Sequence, residues 1–93
     1  MQYEWDGAKA SHNRAVHGVA FGTVEDFDWQ SALILEDTRR DYGEQRFLAY
    51  GKIARRLHAL VFTPRGKAVR VISLRKANSR ERKAYDEAKS RGK

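Results

Sequence analysis

The stretch RLHALVFTPRGKAVRVISLR, residues 56–75, decides the fold. Two runs within it, 56–63 and 68–75, are rich in β-branched, aromatic and aliphatic residues and are typical of strands. The tetrapeptide Pro64-Arg65-Gly66-Lys67 between them has the composition of a tight turn. So short a link predicts that the two strands pair as an antiparallel hairpin.

Two more strands are predicted on the amino-terminal side of this hairpin. ALILE (32–36) is a compact apolar run, and QRFLAYG (45–51) follows it after the loop RDYGE. The second of these runs is joined to the hairpin by the short link KIAR, residues 52–55. Consecutive strands with short links lie side by side, so we predict a four-stranded antiparallel sheet.

Helices are predicted at both ends of the chain. Asp6 can cap a helix over residues 7–17 that Gly18 ends in a left-handed conformation. A second short helix is predicted over TVEDFDW (23–29), and Asn78 with Glu81 forms a capping box for a last helix over 79–90. The chain is thus expected to be one α+β domain, residues 1–93, with the two amino-terminal helices on one sheet face and the other face open.

Charge is distributed unevenly along the chain. Residues 1–44 contain nine acidic and four basic residues, whereas residues 45–93 contain three acidic and fifteen basic ones. A positive field of this kind attracts phosphate backbones or an acidic partner protein. A basic surface that only keeps the protein in solution is the alternative.

Several chemistries and locations are disfavoured. With no cysteine, the chain has no disulfides or thiolate ligands, and its adjacent acidic residues have no histidine at a ligand spacing, so we expect neither a metal nor a cofactor. Glycine-rich phosphate loops and nucleophile elbows are also missing from the sequence. No apolar run is long enough for a signal sequence or a membrane span, so we expect a soluble, cytoplasmic protein.

The first predicted helix carries a polar stripe. Lys9, Asn13 and His17 follow one another at spacings of four and lie on one helix face. An imidazole is suited to proton transfer near neutral pH, and an ammonium can bind phosphate, so Lys9 and His17 are candidate catalytic residues. A solvated helix face is the alternative. His12 lies off the stripe and His58 lies within an apolar strand, so both are weaker candidates.

Arginines near the ends of predicted strands are candidates for binding phosphate. We select Arg75 and Arg46 as catalytic candidates, and Arg70 and Ser73 as RNA-binding ones. Strict alternation predicts that Arg75 shares a face with Ser73, Val71 and Val69, and that Arg70 lies on the opposite face with Ile72 and Leu74. Ser73 has an alternative role as a hydroxyl satisfied inside the sheet.

Two residues of the last helix are further candidates for RNA binding, Arg82 and Tyr85. Arg82 adds positive charge, and a tyrosine ring beside a basic strand end can stack on a base. Their alternative roles are a solvated helix face for Arg82 and an apolar anchor for Tyr85. Glu81 is assigned to the capping box in preference to a catalytic base.

Three segments together resemble the BrnT toxins, small ribonuclease toxins of bacterial type II toxin–antitoxin systems. These segments are EWDGAKASHNRAVHGVAF (4–21), GEQRFLAYG (43–51) and RVISLRKANSRERKAY (70–85). They occur in order and span nearly the whole chain. The resemblance implies a RelE-like fold, cleavage of RNA, and neutralisation by a BrnA-type antitoxin whose complex with the toxin binds operator DNA.

Three functional hypotheses follow. The first is a metal-independent endoribonuclease toxin that uses the ribose 2′-OH as nucleophile and inhibits translation and growth. The second is a non-catalytic module that binds nucleic acid or a partner through the basic half. The third is a subunit whose basic surface chiefly holds its antitoxin, with a homodimer inside a heterotetramer as the expected assembly. The thin apolar stripe of the last helix motivates the third hypothesis.

Overall fold

The computed structural model of the protein describes residues 1–92. In chain order the elements are β1 Gln2–Glu4, α1 Gly7–His17, a 3₁₀ helix Phe21–Asp26, β2 Leu33–Glu36, β3 Phe47–Ile53, β4 Arg56–Arg65, β5 Ala68–Lys76 and α2 Ser79–Arg91. All the strands lie in one five-stranded sheet of order β1-β5-β4-β3-β2. The fold is α+β, with the helices packed on the faces and at the edge of this sheet.

The prediction of a four-stranded antiparallel sheet was wrong. Strands β2 to β5 pair antiparallel with their neighbours as expected, but β1 adds a fifth strand parallel to β5, opposite Ala68–Arg70. The sheet is therefore mixed. The three-residue segment QYE is too short to show an alternating pattern, and its pairing with β5 joins residues far apart in sequence.

The second amino-terminal helix was also predicted wrongly. A 3₁₀ helix over Phe21–Asp26 takes the place of the helix expected over 23–29. Its backbone hydrogen bonds join residues three apart, from Thr23 N–H to the Ala20 carbonyl and from Phe27 N–H to the Val24 carbonyl, and the Thr23 hydroxyl also donates to the Ala20 carbonyl at 2.8 Å. These bonds favour the tighter helix over a full α-turn.

Both α-helices begin at the predicted residue and α1 ends where predicted, whereas α2 extends one residue beyond the prediction, to Arg91. The Asp6 carboxylate accepts from Ala8 N–H, and Gly18 ends α1 with φ of 71°. The Asn78 side chain accepts from Glu81 N–H while Glu81 accepts from Asn78 N–H, which is the predicted capping box of α2. No helix within residues 1–92 is long and apolar enough to cross a membrane.

The main core lies between the first sheet face and the segment that runs from α1 through the 3₁₀ helix. Its largest fully buried side chains are Phe21, Leu60, Leu74, Val24 and Val71. Phe27 also belongs to this core, and its ring lies directly over Gly51 of β3. A β-carbon at Gly51 would lie 2.4 Å from Phe27 Cζ, so only glycine allows this close approach.

Helix α2 packs on the second sheet face. Tyr85 is its buried residue and contacts Leu57 and Ala77, while the Tyr85 hydroxyl donates to the Ser31 carbonyl at 2.8 Å. The cluster beneath α2 has three buried residues, Leu57, Ala77 and Tyr85, and is smaller than the main core. The alternative role of Tyr85, that of an apolar anchor for this helix, is therefore confirmed.

Candidate active site

A β-bulge interrupts β5 at Ile72. Ser73 lies opposite Val61 of β4, but Val71 lies opposite the next residue, Phe62, so Ile72 is an extra residue with no partner on β4. Bulges change the direction of neighbouring side chains and are common next to active sites. The bulge of β5 thus lies between Arg70 and Arg75, the segment that contains three of the candidate site residues.

The bulge overturns the predicted division of β5 between the two faces. Its register places Arg70, Ser73 and Arg75 opposite Thr63, Val61 and Ala59, which alternate along β4 and share the second face. Val69, Val71 and Leu74 belong to the main core on the first face. The prediction from strict alternation was wrong because the inserted residue moves each side chain that precedes it in β5 to the opposite sheet face.

Asn13 attaches helix α1 to the outer edge of β5. Its amide donates to the Leu74 carbonyl at 2.7 Å and its oxygen accepts from Leu74 N–H at 3.1 Å. The same amide donates to the Val19 carbonyl at 3.0 Å. Asn13 is buried, at 4 % exposure, so it is an anchor of the fold and not the middle of a solvated stripe.

This attachment leaves a gap along the β5 edge. Strand β1 covers the edge only as far as Arg70, and Asn13 covers it at Leu74. Between them, Ile72 and Ser73 of the bulge border an open cavity of about 400 Å³. The opposite wall is α1, and the full lining is Ala8, Lys9, His12, Asn13, His17, Ile72 and Ser73.

The cavity combines three basic side chains with no carboxylate among the described residues of its lining. Lys9, His12 and His17 are exposed residues of α1 that line it, and Ser73 lies across from them on β5. An ammonium and two imidazoles attract a phosphate group, and imidazoles also accept and donate protons near neutral pH. Three of the residues selected from the sequence, Lys9, His17 and Ser73, thus line one cavity.

His12, one of the two weaker candidates from the sequence, also lines the α1 cavity. It lies off the Lys9-Asn13-His17 stripe, yet it lines the same cavity as Lys9 and His17. The signal was its spacing of three from Lys9, which places neighbouring side chains on a helix surface. His58, the other weaker candidate, is buried, and its Nδ1 lies 2.7 Å from the Arg56 carbonyl; burial lowers the pKa of His58.

Arg75 lies apart from this cavity and is paired with Glu81. Its Nη1 and Nη2 atoms donate to Glu81 Oε1 and Oε2 at 2.7 and 2.8 Å. The Tyr50 hydroxyl and Asn78 N–H also donate to this carboxylate. These donors, Arg75 foremost, lower the pKa of Glu81 to about 2 although burial opposes them, so Glu81 is not a general base at neutral pH.

The other two selected arginines are also paired with carboxylates. Arg46 Nε donates to Glu44 Oε2 at 3.3 Å, and its guanidinium lies 4.0 Å from the centre of the Tyr42 ring. Arg70 Nη1 lies 3.7 Å from Glu4 Oε1 of β1. Arg46, Arg70 and Arg75 are thus partly neutralised cations, and none of them lines the α1 cavity.

Arg82 of α2 has a different setting. It is exposed and lines a depression of about 170 Å³ together with Lys52, Arg55, Arg56, Leu57, Tyr85 and Asp86. Tyr85 contributes to its wall although the residue is only 7 % exposed. Among residues 1–92, no group of three or more histidine, cysteine or acidic side chains is arranged to hold a metal ion.

Together these features define a small basic α+β protein with a phosphate-attracting, imidazole-containing cavity at a bulged sheet edge. The comparison with known families gives the particular class: a family model described as "Ribonuclease toxin, BrnT, of type II toxin-antitoxin system" matches residues 5–81. The chain belongs to this family of BrnT ribonuclease toxins. No protein in the comparison with curated proteins matches it. Membership implies an RNA substrate and an antitoxin partner.

Proposed function

We propose that the protein is a metal-independent endoribonuclease whose chemistry occurs in the α1 cavity. The observation that carries this proposal is the placement of Lys9, His12 and His17 in one cavity at the β5 bulge. It supplies two proton-transfer groups and one fixed cation, which are the parts that cleavage by a ribose 2′-OH requires. Such chemistry needs no metal because the substrate provides its own nucleophile.

The proposed step is a transesterification within the RNA. One imidazole accepts the 2′-OH proton as the 2′-oxygen forms a bond to the adjacent phosphorus. The bond from phosphorus to the 5′-oxygen then breaks, and the second imidazole donates a proton to that oxygen. Lys9 stabilises the negative charge of the phosphorane. The products are a 2′,3′-cyclic phosphate and a 5′-hydroxyl, with no net change in protons.

The selected residues outside the α1 helix have a secondary place in this proposal. Arg75 and Arg46, proposed from the sequence as catalytic, can contact phosphate only by exchanging their present partners Glu81 and Glu44. Arg70 would likewise have to exchange its present partner, Glu4. We therefore expect these arginines, like Ser73, Arg82 and Tyr85, to contribute mainly to RNA binding.

The test is a cleavage assay with purified protein and unmodified RNA in excess chelator. We expect fragments with 2′,3′-cyclic phosphate ends, and none from RNA with 2′-O-methyl groups. His17→Ala should lower the cleavage rate by roughly 10² to 10⁴, whereas Arg14→Ala should not, because Arg14 is on the same helix but does not line the cavity. Fragments with 5′-phosphate ends, or cleavage that requires added metal, would contradict the mechanism.

We further propose that a BrnA-type antitoxin binds the apolar groove between α2 and β2 in a heterotetramer with two toxin copies. Ile34 and Leu35 are 47 % and 52 % exposed on the outermost strand. The groove beside them is lined by Leu33, Leu35, Tyr50, Arg80, Glu81, Ala84, Tyr85 and Ala88. Exposed apolar groups of this kind mark protein interfaces. On this proposal operator DNA is bound only through the complex.

Expression in bacteria tests the toxin as a whole. Because cleavage of cellular RNA would inhibit translation, the protein should act in the cytoplasm and arrest growth until an antitoxin is supplied. A non-catalytic binding module would be tolerated. Growth that continues during confirmed expression of soluble wild-type protein without antitoxin would contradict the toxin proposal and favour a binding module.

A further inference from the structure

The turn between β3 and β4 has a costly backbone conformation. Ala54 and Arg55 have φ of 49° and 70°, both in the left-handed region. A two-residue hairpin turn requires such angles, but asparagine and glycine are the residues that adopt them readily. Strain of this kind persists where the rest of the structure enforces it, and it concentrates at functional sites. The strained position of Arg55 therefore makes this turn a candidate functional site.

Five cations surround this turn. Lys52, Arg55, Arg56 and Arg82 line the depression of about 170 Å³ beside α2. Lys76 and Arg56 line a second depression of about 290 Å³ on the other side of the turn. We call these five residues, Lys52, Arg55, Arg56, Lys76 and Arg82, the basic track.

The basic track differs from the three selected arginines in its partners. Arg46, Arg70 and Arg75 each pair with a glutamate, but none of the five track residues forms an ion pair with a carboxylate in residues 1–92. Within that part of the chain, Asp86 is the one acidic residue that lines either depression. The positive charge of the track is thus available to an external anion.

The track leads to the proposed active site. Arg56 lines both depressions, and Gly18, at the wall of the second one, directly follows His17 of the α1 cavity. The two depressions therefore share Arg56, and the second one and the α1 cavity both lie at the carboxyl-terminal end of α1, where His17 and Gly18 are neighbours. A chain with a negative charge at every repeat unit can follow such a series of surfaces, as single-stranded nucleic acids do in basic grooves.

We propose that the basic track binds the phosphodiester backbone of the RNA substrate and leads the strand into the α1 cavity. An acidic segment of a protein partner is the competing occupant. The 170 Å³ depression is lined mainly by charged residues, whereas the exposed apolar side chains that anchor protein interfaces lie elsewhere, at Ile34 and Leu35. The proximity of the second depression to His17 also favours RNA. This inference rests on the proposed function.

The test uses a triple variant, Arg55→Gly, Arg56→Ala and Arg82→Ala, and a fluorescent 2′-O-methyl oligoribonucleotide in chelator. Because three phosphate contacts are lost, the dissociation constant should rise by about tenfold at moderate salt, and the slope of log Kd against log salt should become shallower by about 2. Circular dichroism at the same temperature checks that the variant is folded.

Two single variants separate charge from backbone strain. Ala54→Gly relieves strain and removes no charge, so it should raise the midpoint temperature of unfolding and leave RNA affinity unchanged. Arg55→Gly should also raise the midpoint temperature, but it should weaken RNA binding. Equal RNA affinity of Arg55→Gly and Ala54→Gly would show that the Arg55 charge has no role in binding.

The outcomes distinguish this inference from the function on which it rests. Unchanged RNA affinity of the triple variant would overturn the inference, and a loss of antitoxin affinity alone would assign the track to protein. If the triple variant loses RNA affinity but the wild type cleaves no RNA in chelator, RNA binding by the track stands and the proposed catalysis fails. If the wild type cleaves RNA but the triple variant keeps its RNA affinity, the catalysis stands and RNA binding by the track fails.

Discussion

The side chain of Asn13 makes two hydrogen bonds to the backbone of Leu74, at 2.7 and 3.1 Å, and so pairs with the outer edge of β5 as a neighbouring strand would. This pairing ends one side of the α1 cavity and fixes the position of α1 relative to the bulge. Lys9 and His17 lie one helical turn before and after Asn13. Helix α1, which carries the proposed catalytic residues, is therefore positioned by the buried amide of Asn13.

Replacing Asn13 by alanine should destabilise the protein by about 2 to 4 kcal/mol, because buried groups of Leu74 and Val19 lose their hydrogen-bond partners. Urea unfolding followed by circular dichroism measures this change. Ser11→Ala, at an exposed position of the same helix, is the matched control and should change stability by less than about 0.5 kcal/mol. Equal stability of the two variants would contradict the anchoring role of Asn13.

The ion pair between Glu81 and Arg75 predicts a specific loss of stability in acid. The pKa of Glu81 is lowered from 4.5 to about 2 in the folded protein. A carboxyl group whose pKa is lower in the folded protein than in the unfolded chain stabilises the folded state at pH values above its unfolded-state pKa. This contribution disappears as the pH falls from about 5 to about 2. Asp37, whose pKa is also lowered to about 2 by Arg39, should act in the same direction.

Glu81→Gln isolates the contribution of Glu81, because glutamine can still complete the capping box of α2. The variant should be less stable than the wild type by about 2 kcal/mol at pH 7, and the difference should shrink towards zero near pH 2 to 3. Denaturant unfolding of both proteins at several pH values measures this. A difference that stays constant with pH would show that packing, and not charge, explains the effect.

The elements that the sequence predicted correctly depend on local chemistry. Asp6, Gly18 and the Asn78–Glu81 capping box act within a few residues of themselves, and each is found at its predicted place. Strand β1 and the bulge at Ile72 depend instead on pairing between distant segments. Local patterns do not encode such pairing, so the fifth strand was missed.

The same distinction explains the outcome at the candidate site. The stripe of Lys9 and His17 follows from helical periodicity, and both residues do line the cavity. Asn13 was taken for a member of that polar face because its partner Leu74 is 61 residues away in sequence. The pairing of Arg75 with Glu81 was missed because both residues have local roles that explain them separately, one at a strand end and the other in a cap.

Gly51 should be intolerant of any side chain. Its β-carbon would lie 2.4 to 2.9 Å from three carbons of the buried Phe27 ring, so Gly51→Ala should destabilise the protein by roughly 1 to 3 kcal/mol through overpacking. Gly22→Ala is the matched control, because no described atom lies within 4 Å of a β-carbon at Gly22. Thermal unfolding compares the two. A Gly51→Ala protein as stable as the control would contradict the close contact.

The exposed apolar residues of β2 should matter for the antitoxin and not for RNA. Leu35→Glu places a charge at the mouth of the apolar groove, where a bound partner would have to bury it, so antitoxin affinity should fall by at least about tenfold. RNA cleavage should stay at the wild-type rate, since Leu35 does not line the α1 cavity. Glu36→Gln, also exposed on β2, is the control for a change of charge at this edge. Unchanged antitoxin affinity of Leu35→Glu would exclude the groove as the antitoxin site.

The two histidines of the cavity should prove separately necessary for cleavage. If one accepts the 2′-OH proton and the other protonates the 5′-oxygen, the rate should have a bell-shaped dependence on pH, and either His12→Ala or His17→Ala should lower it by roughly 10² to 10⁴. The double variant should be only slightly slower than either single variant, because the effects of substituting residues that act as a unit are not additive. Single-turnover cleavage by the single and double variants, compared with Arg14→Ala, measures these effects. A His12→Ala enzyme with wild-type rate and an unchanged pH profile would leave His17 as the sole imidazole of the site and require a different proton donor.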